Sequence, residues 1–228
     1  MPEFEIEFVG TPNHTKGRRG SVPIAIVNHI TGGNYPGCLS WMQNPAAQAS
    51  AHYLVTRSGK ILQLVKDEDA AWHAGRVNKA NWPLYKGSNP NRYTLGIEHE
   101  GFNGDLTEVQ YRATVWLQKK LIQKWDIPVG EDYIIGHYRI DSVDRPYCPG
   151  PKFPWDELFK DLKEGLILDK LAEWERKMGE DAVNALSQKG LLSNPQKWLQ
   201  ELGGVPQNWL FFVMMDRLAS YMGGKEVK

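Results

Sequence analysis

Three residues of this chain have the chemistry to share a metal ion: His29, His137 and Cys148. His29 closes the apolar run "IAIVNH". His137 follows the pair Ile134-Ile135 and Gly136, and Cys148 sits in the loop "DSVDRPYCPGPKFPW". Neutral imidazole and thiolate are strong Zn²⁺ ligands. Three protein ligands with a fourth position left for water describe a catalytic site, and four describe a closed structural one. Each residue alone is a weak signal, since a histidine near a strand end is usually a packed one. Their joint placement at strand ends is the stronger observation, because sites of open α/β sheets form there.

The elements that must position them are legible. "SVPIAIVNHITG" reads as a buried strand ending at Asn28-His29. Tyr53 to Thr56 and Ile61 to Val65 flank Arg57-Ser58-Gly59-Lys60, which predicts a hairpin with Gly59 free to take positive φ. "YTLGIEHEGF" and "DYIIGH" are further strands. Between them, "TEVQYRATVWLQKKLIQKWDIP" predicts a helix capped by Thr107 and stopped at Ile127-Pro128, with Val109, Ala113, Trp116, Leu117, Leu121 and Ile122 at helical spacing. Strands alternating with helix predict an α/β fold with a mixed central sheet flanked by helices. The stretch from Ala74 to Arg92, rich in Asn, Gly and Pro, reads as a long and therefore functional loop.

Composition narrows the class. The 228 residues are 41% hydrophobic and 24% charged, as in an ordinary soluble globular chain. Lys+Arg and Asp+Glu are 27 each, so no basic field recruits nucleic acid. "MPEFEIEFVG" lacks a basic stretch followed by an apolar one, which predicts synthesis in the cytoplasm without a signal peptide. The apolar run "WLFFVMM" is too short to span a bilayer, so no membrane insertion is expected. Cys38 and Cys148 are the two cysteines. They allow one disulfide, but a free thiol or a metal thiolate suits a chain made in the cytoplasm. Nine Trp and nine Tyr, several beside Gly, Pro and Asn, suit either packing or a groove on which sugar rings stack.

The stretches "VNHITGG", "SAHYLVTRSGKILQLV", "AAWHAG", "TLGIEHEG" and "IIGHYRID…CPGPKFPW" occur in that order. Together they resemble the type 2 N-acetylmuramoyl-L-alanine amidases, the family of the peptidoglycan recognition proteins and bacteriophage T7 lysozyme. The resemblance covers about Ile24 to Trp155. It implies one zinc per chain in a groove and cleavage of the amide between N-acetylmuramic acid and L-alanine in peptidoglycan. On that resemblance, His29, His137 and Cys148 match the metal ligands, and Glu98 matches the carboxylate that serves as acid and base. His73, with Trp72 beside it, matches a groove position that contacts substrate; a place behind the metal ligands or in the core is the alternative. Two family features are missing. Ala51 stands where some relatives place a catalytic tyrosine. Pro146 stands where relatives often carry a lysine that steadies the oxyanion, and Arg145 is the nearest cation to substitute.

From Trp155 onward the chain is helical and charged, and a division at 1–165 and 166–228 is expected. Gly190 can close one helix, and Asn194 with Pro195 can open the next. "DAVNALSQKGLLSNPQKW" loosely resembles short helical units that end some wall enzymes. These features together suggest a monomeric phage endolysin, made in the cytoplasm and acting on the wall, with a wall-binding tail; a cytoplasmic or autolytic bacterial enzyme, and a tail that is only a helical extension packed on the sheet, are the alternatives. The rivals are a non-catalytic peptidoglycan binder and a glycosidase that pairs Glu98 with Glu100.

Overall fold

The computed structural model describes residues 4–169, 173–200, 202 and 208–223. Two compact units divide after Phe159, at Met1–Phe159 and Lys160–Lys228. The first carries a six-stranded mixed sheet. Its strands are β1 (Ile6–Phe8), β3 (Ala25–Ile30), β4 (Tyr53–Val55), β5 (Ile61–Gln63), β7 (Thr94–His99) and β8 (Ile134–Gly136), in the order β1-β5-β4-β7-β3-β8. Only the β4–β5 hairpin is antiparallel. Its turn follows the sequence reading, with Gly59 at φ +85°. β2 (His14–Thr15) and β6 (Ala70–Ala71) form a separate antiparallel pair.

β3 and β7 lie inside the sheet, each paired on both sides, and are buried along almost their whole length. That explains why they read as continuous apolar runs and not as alternating ones. Their register sets His29 opposite Glu98, and β8 runs parallel on the other side of β3. All three strands therefore deliver their C-terminal ends to one edge, where His29, Glu98 and His137 emerge.

α1 (Gly37–Gln43) follows β3. α2 (Glu108–Trp125) opens on a capping box, with Thr107 and Gln110 satisfying each other's backbone N–H groups. Its buried face departs from the apolar pattern. Val109 is exposed, while Gln110, Thr114 and Gln118 are buried. The reason is polar: Gln110 donates to the carbonyls of Val55 and Glu100 (both 3.0 Å), and Gln118 donates to Asn28 Oδ1 (2.8 Å). Carbonyls at strand ends need partners when buried, and Gln110 supplies two of them, while Gln118 satisfies the buried side-chain amide of Asn28.

The segment from Ala74 to Arg92 is anchored and not a free lid. Trp82 is buried, stacks on Tyr93 at 5.7 Å and donates its indole N–H to Asp132 O. The aromatics of "NWPLYKGSNPNRY" thus include core residues.

In the second unit, α4 (Glu173–Gln188), α5 (Pro195–Gln200) and α6 (Asn208–Gly223) bury Val183, Leu186, Leu202 and Phe212 together, with Trp198 edge-on to Phe212. α3 (Trp155–Asp169) spans the division. Gly190 turns the chain at positive φ, and Asn194 precedes Pro195 at the start of α5, as the sequence predicts. Trp198 therefore belongs to a small core; the side chain of Trp209 lies outside the described residues. No described helix is long and apolar enough to cross a membrane.

Candidate metal centre

His29, His137 and Cys148 place one donor atom each within 4.8 Å of one another. His29 Nδ1 is 3.1 Å from His137 Nδ1 and 3.9 Å from Cys148 Sγ. A tetrahedral zinc with its usual bond lengths would hold two nitrogens about 3.3 Å apart, and a nitrogen and a sulfur about 3.6 Å apart. The spacing fits, and so does the donor set of two imidazoles and a thiol. Among the described residues this is the one such group of three metal-ligating side chains.

Different elements supply each donor. β3 carries His29, and the 3₁₀ turn His137–Arg139 at the end of β8 carries His137. Cys148 is held by a backbone lock. Tyr138 N donates to Cys148 O (3.2 Å), and beyond the cysteine Lys152 N donates to Asn103 O (3.0 Å). Gly150, at φ +119°, lies so close to the turn after β7 that a Cβ there would sit 2.2 Å from the carbonyl carbon of Asn103. The Pro-Gly loop thereby presses the cysteine segment backbone-to-backbone against the end of β7.

The electrostatics suit metal binding. Burial, reinforced by His137 and His73, lowers His29 well below the usual histidine range. Burial and then Arg145 lower His137 to about 4. Both rings are neutral at pH 7 and keep a lone pair to donate. Burial, then the nearby Glu98, pushes the Cys148 thiol up to about 12. That sulfur becomes a thiolate only when a cation replaces its proton.

Glu98 is the acid/base candidate. Its Oε2 is buried without a hydrogen-bond partner. Burial raises its carboxyl to about 7, opposed by Arg145. A carboxyl poised there can both take and give a proton near neutral pH. Glu100, two residues on, is a different case. Its Oε1 accepts from Tyr35 N (2.9 Å) and its Oε2 from Arg57 N (2.7 Å). Both oxygens are committed to pinning loops, so Glu100 is not available as the second carboxylate of a glycosidase pair.

A cleft of about 840 Å³ opens over the donors. Trp41, Phe102 and Tyr147 form exposed aromatic faces on its wall, and Arg145 lines it beside Glu98. Trp72 also lines it, with its indole N–H donated to Thr15 Oγ1 (2.9 Å). Cys38 is half-buried on the cleft wall and packs against the core beneath; burial raises its pKa. His52 is fully buried, and its Nε2 is 2.8 Å from Arg18 Nη2. His73 is only 9% exposed, and its Nδ1 is 3.0 Å from His29 Nε2. Thr94 and Asn91, which hold His73, escape a sequence reading; the one trace is Gly96 inside a buried strand, a mark of close approach.

Comparison with known proteins agrees with this architecture. Residues 19–151 match the family model described as N-acetylmuramoyl-L-alanine amidase. N-acetylmuramoyl-L-alanine amidase A of Achromobacter lyticus is 31% identical over 161 residues, covering 62% of this chain and 84% of that protein. The 1,6-anhydro-N-acetylmuramyl-L-alanine amidase AmpD of Haemophilus influenzae is 34% identical over 118 residues, 51% of this chain and 60% of that one. Among solved structures, a selenomethionine derivative of AmpD superimposes with a TM-score of 0.54 at 27% identity, covering 71% of this chain and 95% of that one. The catalytic domain of XlyA shares the fold, with a TM-score of 0.52 at 22% identity over 69% of this chain and 99% of that one.

Proposed function

The chain belongs to the N-acetylmuramoyl-L-alanine amidase family, and on that premise we propose that it is a zinc-dependent hydrolase of the amide between N-acetylmuramic acid and L-alanine in peptidoglycan. The observation that carries the reading is the His29, His137 and Cys148 cluster beside Glu98, whose Oε2 is buried without a partner, in an aromatic-walled cleft.

His29, His137 and Cys148 would hold the ion, and a bound Zn²⁺ supplies Lewis acidity for amide hydrolysis. The residues of the chain do the rest. Glu98, whose carboxyl sits near 7, accepts a proton from the attacking water and returns it to the departing alanine nitrogen. Arg145 on the cleft wall faces the charge that develops on the carbonyl oxygen; a guanidinium can donate to it where relatives use a lysine. Trp41, Phe102 and Tyr147 offer flat apolar faces to sugar rings or stem-peptide side chains, as a glycopeptide substrate requires. Trp72, whose ring is oriented by Thr15, adds to the same wall. A purely binding role leaves the unpartnered Oε2 of the half-buried Glu98 without a purpose, and catalysis gives it one.

The finer setting we propose is wall lysis by a phage endolysin, with the Lys160–Lys228 unit serving attachment. The exposed Phe211 and Met214 of α6 support a surface that meets another molecule. Mass spectrometry of digested peptidoglycan tests the central reading. Free L-alanine amino termini with intact glycan strands are expected; new reducing sugar ends would overturn it.

A further inference from the structure

The imidazole of His29 has one nitrogen for the donor cluster and one for the protein behind it. Nδ1 faces His137 and Cys148. Nε2 lies 3.0 Å from Nδ1 of His73. The other nitrogen of His73, Nε2, is 3.2 Å from Thr94 Oγ1, and Thr94 Oγ1 is in turn 2.8 Å from the carbonyl oxygen of Pro90.

Only one arrangement of protons satisfies this row when both rings are neutral. A carbonyl oxygen accepts and never donates, and a hydroxyl has a single proton. Thr94 therefore donates to Pro90 and accepts from His73 Nε2–H. His73 is left with its lone pair on Nδ1, which accepts from His29 Nε2–H. His29 is left with its lone pair on Nδ1, aimed at the donor cluster. The direction of one hydroxyl–carbonyl bond is passed through two rings.

The surroundings are shaped for the ring of His73. A Cβ at Gly96 would sit 2.5 Å from His73 Cγ and 2.6 Å from its Nδ1, closer than real contacts allow, so glycine lets the imidazole lie flat on β7. Asn91 Oδ1 accepts from the backbone N–H groups of His73 (3.2 Å) and Ala74 (2.7 Å) and fixes where that ring starts. His137 has no such support: its Nε2 is buried without a hydrogen-bond partner.

We propose that Thr94 and His73 form a hydrogen-bond relay that fixes the tautomer of His29 with Nδ1 as the metal-donating nitrogen. His73 is then a positioning residue behind the metal site and not a substrate contact. The consequence for metal affinity rests on the zinc reading above, whereas the tautomers belong to the protein itself, so the two can fail separately.

The test is long-range ¹H–¹⁵N spectroscopy of the full chain labelled at histidine, with chelator competition for the zinc Kd. Without zinc, His29 and His73 are expected to carry their protons on Nε2, and added zinc should shift His29 Nδ1. Thr94→Val keeps the shape but removes the acceptor. It should mix the His29 tautomers and raise the zinc Kd about 10–100-fold, the usual effect of losing an outer partner of a ligand. Thr94→Ser should hold both. In His73→Asn the amide oxygen can replace Nδ1 as acceptor, so zinc binding should survive better than in His73→Phe. The proposal is overturned if wild-type His29 is protonated on Nδ1, or if Thr94→Val folds with unchanged tautomers and Kd. Should Thr94→Val not fold, the wild-type tautomers and the ranking of the two His73 variants decide, equal zinc binding by those two counting against the relay. A wild-type chain that shows the expected tautomers but binds no zinc would sink the zinc reading and leave the relay standing.

Discussion

Glu98 and His29 are direct neighbours across the β3–β7 ladder, with both side chains on one face of the sheet. A parallel pairing therefore sets the distance between the acid/base candidate and the candidate metal ligand, and no loop intervenes. Sites on sheet elements hold their geometry better than sites on loops. Cys148, by contrast, reaches the same point from a loop, and its position depends on the close packing around Gly150.

Glu98→Gln is nearly isosteric but cannot accept a proton. Turnover on peptidoglycan should fall by roughly 10²–10⁴, the contribution of a positioned acid/base. Zinc content and the melting temperature of the zinc-loaded protein should hold. A variant with full turnover would show that another group moves the proton.

The same variant has a stability signature in zinc-stripped protein. Burial raises the Glu98 carboxyl from 4.5 to about 7 in the fold, so the native state binds the proton more tightly than the unfolded chain does. Stability then falls as pH rises through that window, and the cost is fully present above it. Glu98→Gln removes that cost. Its melting temperature should exceed that of wild type clearly at pH 8 and only slightly at pH 5; an equal difference at both would mean the carboxyl is not shifted.

Cys148→Ser should lose zinc and activity together. In the wild type the thiol lies near 12, so zinc binding must displace its proton. Zinc affinity measured by chelator competition should therefore rise by about tenfold per pH unit near neutrality. A pH-independent affinity would remove Cys148 from the ligand set.

Gly150→Ala should destabilise the enzyme unit by roughly 2–4 kcal/mol, since it combines left-handed strain with a backbone clash. It should also weaken zinc binding, because the cysteine loop must move. Gly32→Ala is the comparison: its φ is +60°, but nothing lies within 4 Å of the added methyl. Only about 1 kcal/mol is expected there. Equal losses in the two, followed by thermal melting, would show that strain and not packing governs the loop.

A chain ending at Asp169 should retain zinc and cleave small muropeptides, yet bind and lyse intact walls less well. All the metal and acid/base candidates precede Trp155. Loss of cleavage of the small substrate would make the Lys160–Lys228 unit structural, and unchanged wall binding would remove its attachment role.

The sequence by itself determined the strands that carry His29 and Glu98 and the one that leads into His137, the α2 helix with its Thr107 cap, and the family resemblance through five ordered motifs. These are local signals: apolar runs, capping residues and turn glycines act within a few positions, so one chain suffices to read them. Tertiary structure decided what each polar residue is for. Glu98 and Glu100 lie two residues apart and share a residue type, yet one leaves an oxygen without a partner and the other clamps two loops, because Tyr35 and Arg57 come from distant segments. His73 carries the same motif whether it faces the groove or the back of His29. The row from Pro90 through Thr94 decides, and it exists only where β7 and the His73 segment are stacked by Gly96. Hydrogen bonds between segments far apart in the chain leave no periodicity behind, so the partners of a buried polar group are legible only once the fold has brought them within about 3 Å.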